Sequence, residues 1–278
     1  QHSIEETIDT ANADYVGLST WFSNYQNAIS LSKRIKSANP DTKVILGGPH
    51  TNGLSRKIVK NQPSIDYVVQ GDGELALVDL LSNVELAEIP GLVFNSEKNV
   101  RRNLPDYSIP LDSIPPINLE FLKSYFSWPS LKDKSAHSAF PISKYRGCFR
   151  SRRCEYCSIP LEKQRKSSAE MFWQQIEILK AYGIDYFFET ADIFPVQELD
   201  DLIKTKPLGL TDVALRMYLH PGMVSESKTV KLASIGTKNI FIGIENIRYF
   251  SDSPHEKISS VRNHGRGFTT AKFLKDLD

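Results

Sequence analysis

The sequence predicts an α/β protein. Residues 1–85 read as a doubly wound parallel sheet, residues 86–137 as a connective stretch, and residues 138–278 as a partial (β/α) barrel. Three observations predict this. Short apolar runs alternate with amphipathic segments in both halves, which is the pattern of buried parallel strands joined by helices. Glycines stand where the apolar runs end, as in Gly47-Gly48-Pro49-His50 and Gly71-Asp72-Gly73-Glu74. All three cysteines, Cys148, Cys154 and Cys157, fall within ten consecutive positions at the head of the second half.

In the first half, Ser3 to Asn12 reads as a helix with Ile4 and Ile8 one turn apart. Tyr15 to Ser19 is a short apolar strand, and Asn27 to Ala38 is a helix with Ile29, Leu31 and Ile35 inward. Lys43 to Leu46 is the next strand, followed by a helix over Leu54 to Lys60. The strand Tyr67 to Val69 then leads through Gly71–Glu74 into a helix over Leu75 to Leu81. Ligands of such sheets bind at the carboxyl ends of the strands, which puts Ser19, Thr20, Gly47, Gly48, Gly71 and Gly73 at the candidate crevice.

The connective stretch carries two short runs, Leu92–Phe94 and Asn99–Arg101, that read as a β-hairpin with a four-residue loop. Pro105, Pro110, Pro115 and Pro116 then mark an extended linker. An aromatic patch, Phe121, Tyr125, Phe126 and Trp128, reads as packing the linker onto a domain.

The second half opens with a strand over Ala139 to Ser143 that runs into the cysteine stretch. Ser167-Ser168-Ala169-Glu170 reads as a capping box, starting a helix that carries Phe172, Ile176 and Leu179 at helical spacing. Next come strand Tyr186–Phe188, helix Gln197–Lys204, strand Val213–Leu215, helix Glu226–Ala233 and strand Ile240–Gly243. A final helix is expected over Thr269 to Leu277. Polar groups at the strand ends, where barrels of this kind keep their chemistry, are Glu189, Thr190, Asp192, Arg216 and Glu245.

Composition excludes little and points nowhere exotic. A net charge of +1 gives no electrostatic reason to expect nucleic acid or a membrane. No apolar run approaches the roughly 18 residues of a spanning helix. Clustered cysteines without a secretory signal fit a reducing compartment, so a cytoplasmic protein is expected. Three thiols leave one over in any disulfide scheme, and no fourth Cys or His follows at zinc-finger spacing. Three thiolates suit a [4Fe–4S] cluster with one iron left open; a zinc site and inert buried thiols remain as alternatives.

The stretch Cys148–Cys157, with Tyr156 just before the last cysteine, resembles the cluster motif of the radical S-adenosylmethionine (radical SAM) superfamily. The family pattern is usually Cys-x3-Cys-x2-Cys, whereas five residues separate Cys148 from Cys154 here. The three strand-end turns of the first half resemble the flavodoxin-like cobalamin-binding domain that precedes the radical SAM domain in one branch of that superfamily. Asp-x-His-x-x-Gly, which supplies an imidazole to cobalt in many cobalamin proteins, is absent.

The resemblance implies that Cys148, Cys154 and Cys157 ligate a [4Fe–4S] cluster whose open iron chelates S-adenosylmethionine. It implies that Tyr156, Glu189, Asp192, Arg216 and Glu245 contact that cosubstrate, with Arg216 on its carboxylate. It further implies cobalamin at Ser19, Thr20, Gly47, Gly48, Gly71 and Gly73, and an external electron donor of ferredoxin or flavodoxin type. Reductive cleavage to a 5′-deoxyadenosyl radical acting on an unknown substrate would be the reaction. The alternative is a non-catalytic iron–sulfur electron carrier or binding module that keeps the fold. The first sheet opens without a leading strand and the barrel stops after four, so a fragment or short member of a longer enzyme is expected, with weak cobalamin binding.

Overall fold

The computed structural model describes residues 13–96, 99–118, 120, 123, 139–148, 157, 163–220 and 223–242. They fall into two compact units divided between Ile109 and Pro110. No helix among them is long and apolar enough to cross a membrane. The helices expected over Ser3–Asn12 and Thr269–Leu277, and the aromatic patch from Phe121 to Trp128, lie outside the described residues.

The first unit is a five-stranded sheet in the order β1 (Tyr15–Ser19), β2 (Lys43–Gly47), β3 (Tyr67–Val69), β4 (Leu92–Asn95), β5 (Val100–Arg102). β1, β2 and β3 run parallel, with Leu18 opposite Leu46 and Leu46 opposite Val68. β4 joins β3 antiparallel, and β5 joins β4 antiparallel. The hairpin that sequence assigns to the connective stretch therefore extends the first sheet. Val93 and Phe94 are apolar and alternate onto opposite faces, so both sides of β4 gain by burial.

Helices cover both faces. α1 (Tyr25–Ala38) and α2 (Ser55–Asn61) pack Ile29, Ile35, Ile58 and Val59 against Val44, Leu46 and Val68. α3 (Glu74–Leu81) packs Ala76 and Leu80 against Ile45, Val69 and Leu92 on the other face. Period-two alternation within each strand sends neighbouring residues to opposite helices, which is why the strands read as continuous apolar runs.

The second unit holds a four-stranded sheet in the order β11 (Thr237–Ile242), β10 (Ala214–Leu219), β9 (Tyr186–Glu189), β6 (Phe140–Ile142). All its pairings are parallel. α4 (Ala169–Ala181), α5 (Leu199–Thr205) and α6 (Glu226–Ser234) supply the crossovers and share one core with the strands. Phe172, Trp173 and Ile176 of α4 meet Phe187, Leu215 and Met217 of the sheet there. The Trp173 indole N–H donates to the Leu202 carbonyl at 2.9 Å, which satisfies a buried donor and joins α4 to α5.

Two sequence expectations are corrected here. The N-cap of α4 is Ser168, whose Oγ accepts the Met171 N–H at 3.2 Å, and no capping box forms. Ser167 is drawn away because its N–H bonds the Lys144 carbonyl at 2.9 Å. β10 runs on to Leu219, beyond the expected end at Leu215. Leu215, Met217 and Leu219 are all buried on the helix side, so alternation continues and carries Arg216 into mid-strand.

Candidate functional site

The cysteine stretch leaves the second sheet through a narrow neck. β6 ends at Ile142, and two-residue strands β7 (Tyr145–Arg146) and β8 (Arg165–Lys166) pair antiparallel immediately beyond it. A further bridge joins Cys148 to Lys163. The chain between them is thus an excursion closed at its base, starting from the carboxyl end of a parallel sheet. Cys148 and Cys157 are half-buried and in no disulfide. Cys154 and Tyr156 lie outside the described residues, as does Glu245. No group of three or more His, Cys, Asp or Glu among the described residues could hold a metal ion. Two described thiols, with a third separated from the first by five residues, suit iron–sulfur chemistry.

Polar side chains fasten the neck. Glu189, the last residue of β9, is fully buried and accepts the backbone N–H groups of Lys144 and Tyr145 on Oε1 at 3.0 and 3.4 Å. Its Oε2 accepts the Ala191 N–H at 3.1 Å. Burial pushes its carboxyl up to about 7, and the three amides pull against that rise. Lys144 is 1% exposed and donates Nζ to the Ser167 carbonyl at 2.7 Å, with Glu198 Oε2 at 3.7 Å. Burial holds this ammonium below its usual value.

Glu198 takes the Tyr145 hydroxyl at 3.0 Å and the Lys166 ammonium at 2.7 Å. Burial raises its carboxyl, but Lys166, Tyr145 and Lys144 outweigh that and lower it overall. Tyr145, pressed edge-on against Phe194 at 5.3 Å, is itself pushed far up by burial and by Glu198. Sequence reading passed over Lys144 and Glu198. A lysine flanked by apolar and aromatic residues at a strand end was the available signal.

The remaining predicted groups divide by exposure. Asp192 is half-buried in the turn after β9 and has no hydrogen bond or ion pair among the described residues. Burial raises its carboxyl. The Phe194 N–H bonds the Tyr218 carbonyl at 2.9 Å, which ties that turn to β10 just beyond Arg216. Arg216 faces away from the helix-covered core, its guanidinium 5.0 Å from the Phe188 ring centre and 4.1 Å from that of Phe241. Its Nε is shut off from solvent with no acceptor among the described residues. A guanidinium beside two aromatic rings, with a buried Nε donor that meets no acceptor among the described residues, is prepared for a planar anion such as a carboxylate.

In the first unit, the strand-end turns are braced against one another. Thr20 is buried and gives both its N–H and its hydroxyl to the Gly47 carbonyl, at 2.8 and 2.7 Å. Gly48 and Gly71 have φ of 96° and 77°. A side chain at Gly71 would meet Pro105 and Tyr107, and one at Gly48 would meet the Thr20 backbone. These two glycines answer to close chain packing. Gly47 has open space above it, Gly73 meets only the Leu77 side chain at 4.0 Å, and Ser19 is exposed. Beside them, Trp21 and Phe22 are 62% and 87% exposed, and His50 packs its ring on Tyr25 at 4.6 Å. An exposed Trp-Phe pair directly after a strand was a further signal that sequence reading missed. Open glycines and bare aromatic rings at the carboxyl ends of parallel strands fit a large flat ligand.

Residues 1–81 match the B12-binding family, described as a B12 binding domain. An uncharacterized methyltransferase of Pyrococcus horikoshii is 28% identical over 256 residues, covering 87% of this chain and 54% of that protein. The cobalamin-dependent radical SAM methyltransferase TokK of Streptomyces tokunonensis is 27% identical over 100 residues, 36% of this chain and 14% of TokK. The solved structure of TsrM from Kitasatospora setae, a radical SAM methyltransferase with cobalamin and a [4Fe–4S] cluster bound, superposes with a TM-score of 0.70 at 18% identity. That match covers 96% of this chain and 56% of TsrM. OxsB, a cobalamin-dependent SAM radical enzyme, gives a TM-score of 0.70 at 20% identity, covering 95% of this chain and 38% of OxsB. The chain spans about half the length, or less, of the relatives it matches. The likeness extends over both units, and the resemblance to radical SAM enzymes with a cobalamin-binding domain is borne out.

Proposed function

We propose that this chain, a relative of the cobalamin-dependent radical SAM enzymes, forms the cobalamin-binding domain and the cluster-bearing part of a radical SAM methyltransferase. Within it, the first unit corresponds to a flavodoxin-like domain and the second sheet to part of a (β/α) barrel. Sequential parallel order from β6 through β11 supports the second assignment. The observation that carries the reading is the cysteine excursion braced at the carboxyl end of that sheet.

Cys148, Cys154 and Cys157 would hold the [4Fe–4S] cluster. Held by those thiolates, the cluster would supply the one-electron reduction needed for reductive cleavage of S-adenosylmethionine. An external donor of ferredoxin or flavodoxin type would restore that electron. Arg216 offers two parallel donors for the methionyl carboxylate, with the Phe188 and Phe241 rings packed against its guanidinium. Asp192, an acceptor with no protein partner among the described residues, suits an amino group or a ribose hydroxyl. Tyr156 and Glu245 belong to the same cosubstrate set by resemblance. Cobalamin would sit over Ser19, Gly47 and Gly73, with Trp21 and Phe22 alongside, while Thr20, Gly48 and Gly71 shape the turns beneath it. His50 stacks on Tyr25 and is not assigned to cobalt. Reduced clustered thiols suit a cytoplasmic setting.

Anaerobic reconstitution with iron and sulfide tests the reading. Uptake of about four irons per chain, followed by 5′-deoxyadenosine release from S-adenosylmethionine under reduction, supports it. A chain that takes up zinc and refuses iron overturns it.

A further inference from the structure

The parallel ladder between β6 and β9 ends at the pair Ile142–Glu189. Beyond it the chain turns toward Cys148, and the next backbone donors, on Lys144 and Tyr145, are buried where no strand remains to receive them. An unmet buried N–H is costly, so this turn needs an acceptor. The Glu189 carboxylate provides it from the neighbouring strand, with one oxygen on Lys144 and Tyr145 and the other on Ala191. Bonds from N–H groups to a carboxylate are stronger than those to a carbonyl. Lys144 completes the clamp by sending its buried ammonium to Ser167, on the far side of the neck.

We propose that Glu189 is the positioning residue of the cysteine excursion: its buried carboxylate stands in for a missing strand and sets where Cys148 leaves the sheet. This rests on the cluster reading above, and it departs from the cosubstrate contact that family resemblance implies for the same residue. Both Glu189 oxygens are engaged by backbone and the side chain is 0% exposed, which leaves no surface for an amino group of S-adenosylmethionine.

The test compares Glu189→Gln with Leu202→Ala. The Gln variant keeps shape and one acceptor but turns an NH2 toward at least one of the three amides. The Leu202→Ala variant weakens the same core from α5, away from the neck. In the metal-free chains, alkylation of Cys148 by a bulky maleimide is followed by peptide mass spectrometry. The Gln variant is expected to react about tenfold faster than wild type, the scale of one lost buried bond, while Leu202→Ala does not. After reconstitution and reduction, the electron paramagnetic resonance spectrum of the Gln variant is expected to broaden and shift before any S-adenosylmethionine is added.

Equal alkylation in the two variants overturns the proposal. So does a Gln spectrum identical to wild type without the cosubstrate. If that spectrum is unchanged alone but no longer responds to S-adenosylmethionine, Glu189 is a cosubstrate ligand and the positioning role is wrong. A wild-type chain that binds no iron overturns the cluster reading instead, and the alkylation rates still decide whether Glu189 fastens the neck.

Discussion

Gly48 and Thr20 meet backbone to backbone: the Thr20 carbonyl accepts the His50 N–H at 3.3 Å, and a side chain at Gly48 would overlap that same carbonyl. The contact joins the turns after β1 and β2, and with φ at 96° only glycine adopts it without strain.

Gly48→Ala is therefore expected to destabilise the first unit by about 1–3 kcal/mol, combining left-handed strain with the clash. Urea denaturation followed by circular dichroism measures it. A loss below about 0.5 kcal/mol, within the range of a neutral surface substitution, would show that the two turns can separate freely.

Replacing Cys148, Cys154 or Cys157 singly with Ala is expected to abolish the brown absorbance at about 400 nm after reconstitution, since thiolate-to-iron charge transfer needs the intact set. Serine variants serve as controls for size. Full iron retention in all three alanine variants would exclude these residues as the ligands.

Arg216→Lys keeps the charge and loses the planar fork. Binding of S-adenosylmethionine to the reconstituted chain is expected to weaken by about tenfold or more, the worth of a charged hydrogen bond, and Arg216→Met by more still. Equilibrium dialysis with labelled cosubstrate reports it. Unchanged affinity in the Met variant would remove Arg216 from the cosubstrate site.

Glu189 has an ordinary value of 4.5 that burial lifts to about 7 in the folded chain. Between those two values the folded chain holds a proton that the unfolded chain has released. Its contribution to stability thus falls as pH rises across that window and levels off above it. The whole effect is at most about 3 kcal/mol. Urea denaturation at pH values near 5 and 8 should show the stability of wild type relative to Glu189→Gln declining toward the higher pH. A constant difference would mean that Glu189 titrates normally.

Hydroxocobalamin added to the full chain carrying Trp128→Phe should quench the fluorescence of Trp21, which is 62% exposed, while Trp173 stays buried at 1%. Trp21→Phe should remove most of the signal that responds. If quenching persists undiminished in that variant, the ligand binds away from the carboxyl end of β1.

How much of this was legible in the sequence follows from the range of the forces involved. Apolar runs such as Val44–Leu46 and Tyr67–Val69 revealed their strands because a strand buried on both faces is apolar at every position. The three cysteines revealed their own kinship, since ligand chemistry demands residue types at close spacing. Local pattern misled where a residue had a distant competitor. Ser167 looked like the helix cap until the Lys144 carbonyl claimed its N–H. Leu92–Phe94 looked connective until β3 offered it an edge.

Only the tertiary structure decided the roles of Glu189, Lys144 and Glu198, because the two carboxylates depend on donors 44 to 53 residues away and Lys144 on an acceptor 23 residues away. A lone carboxylate in a sequence is equally a ligand, a salt-bridge partner or a clamp. Its function is set by which unpaired backbone groups the fold brings to it, and no local spacing records that. Arg216 shows the same limit: its charge was visible from the start, while the two rings against its guanidinium come from different strands that meet only in the folded sheet.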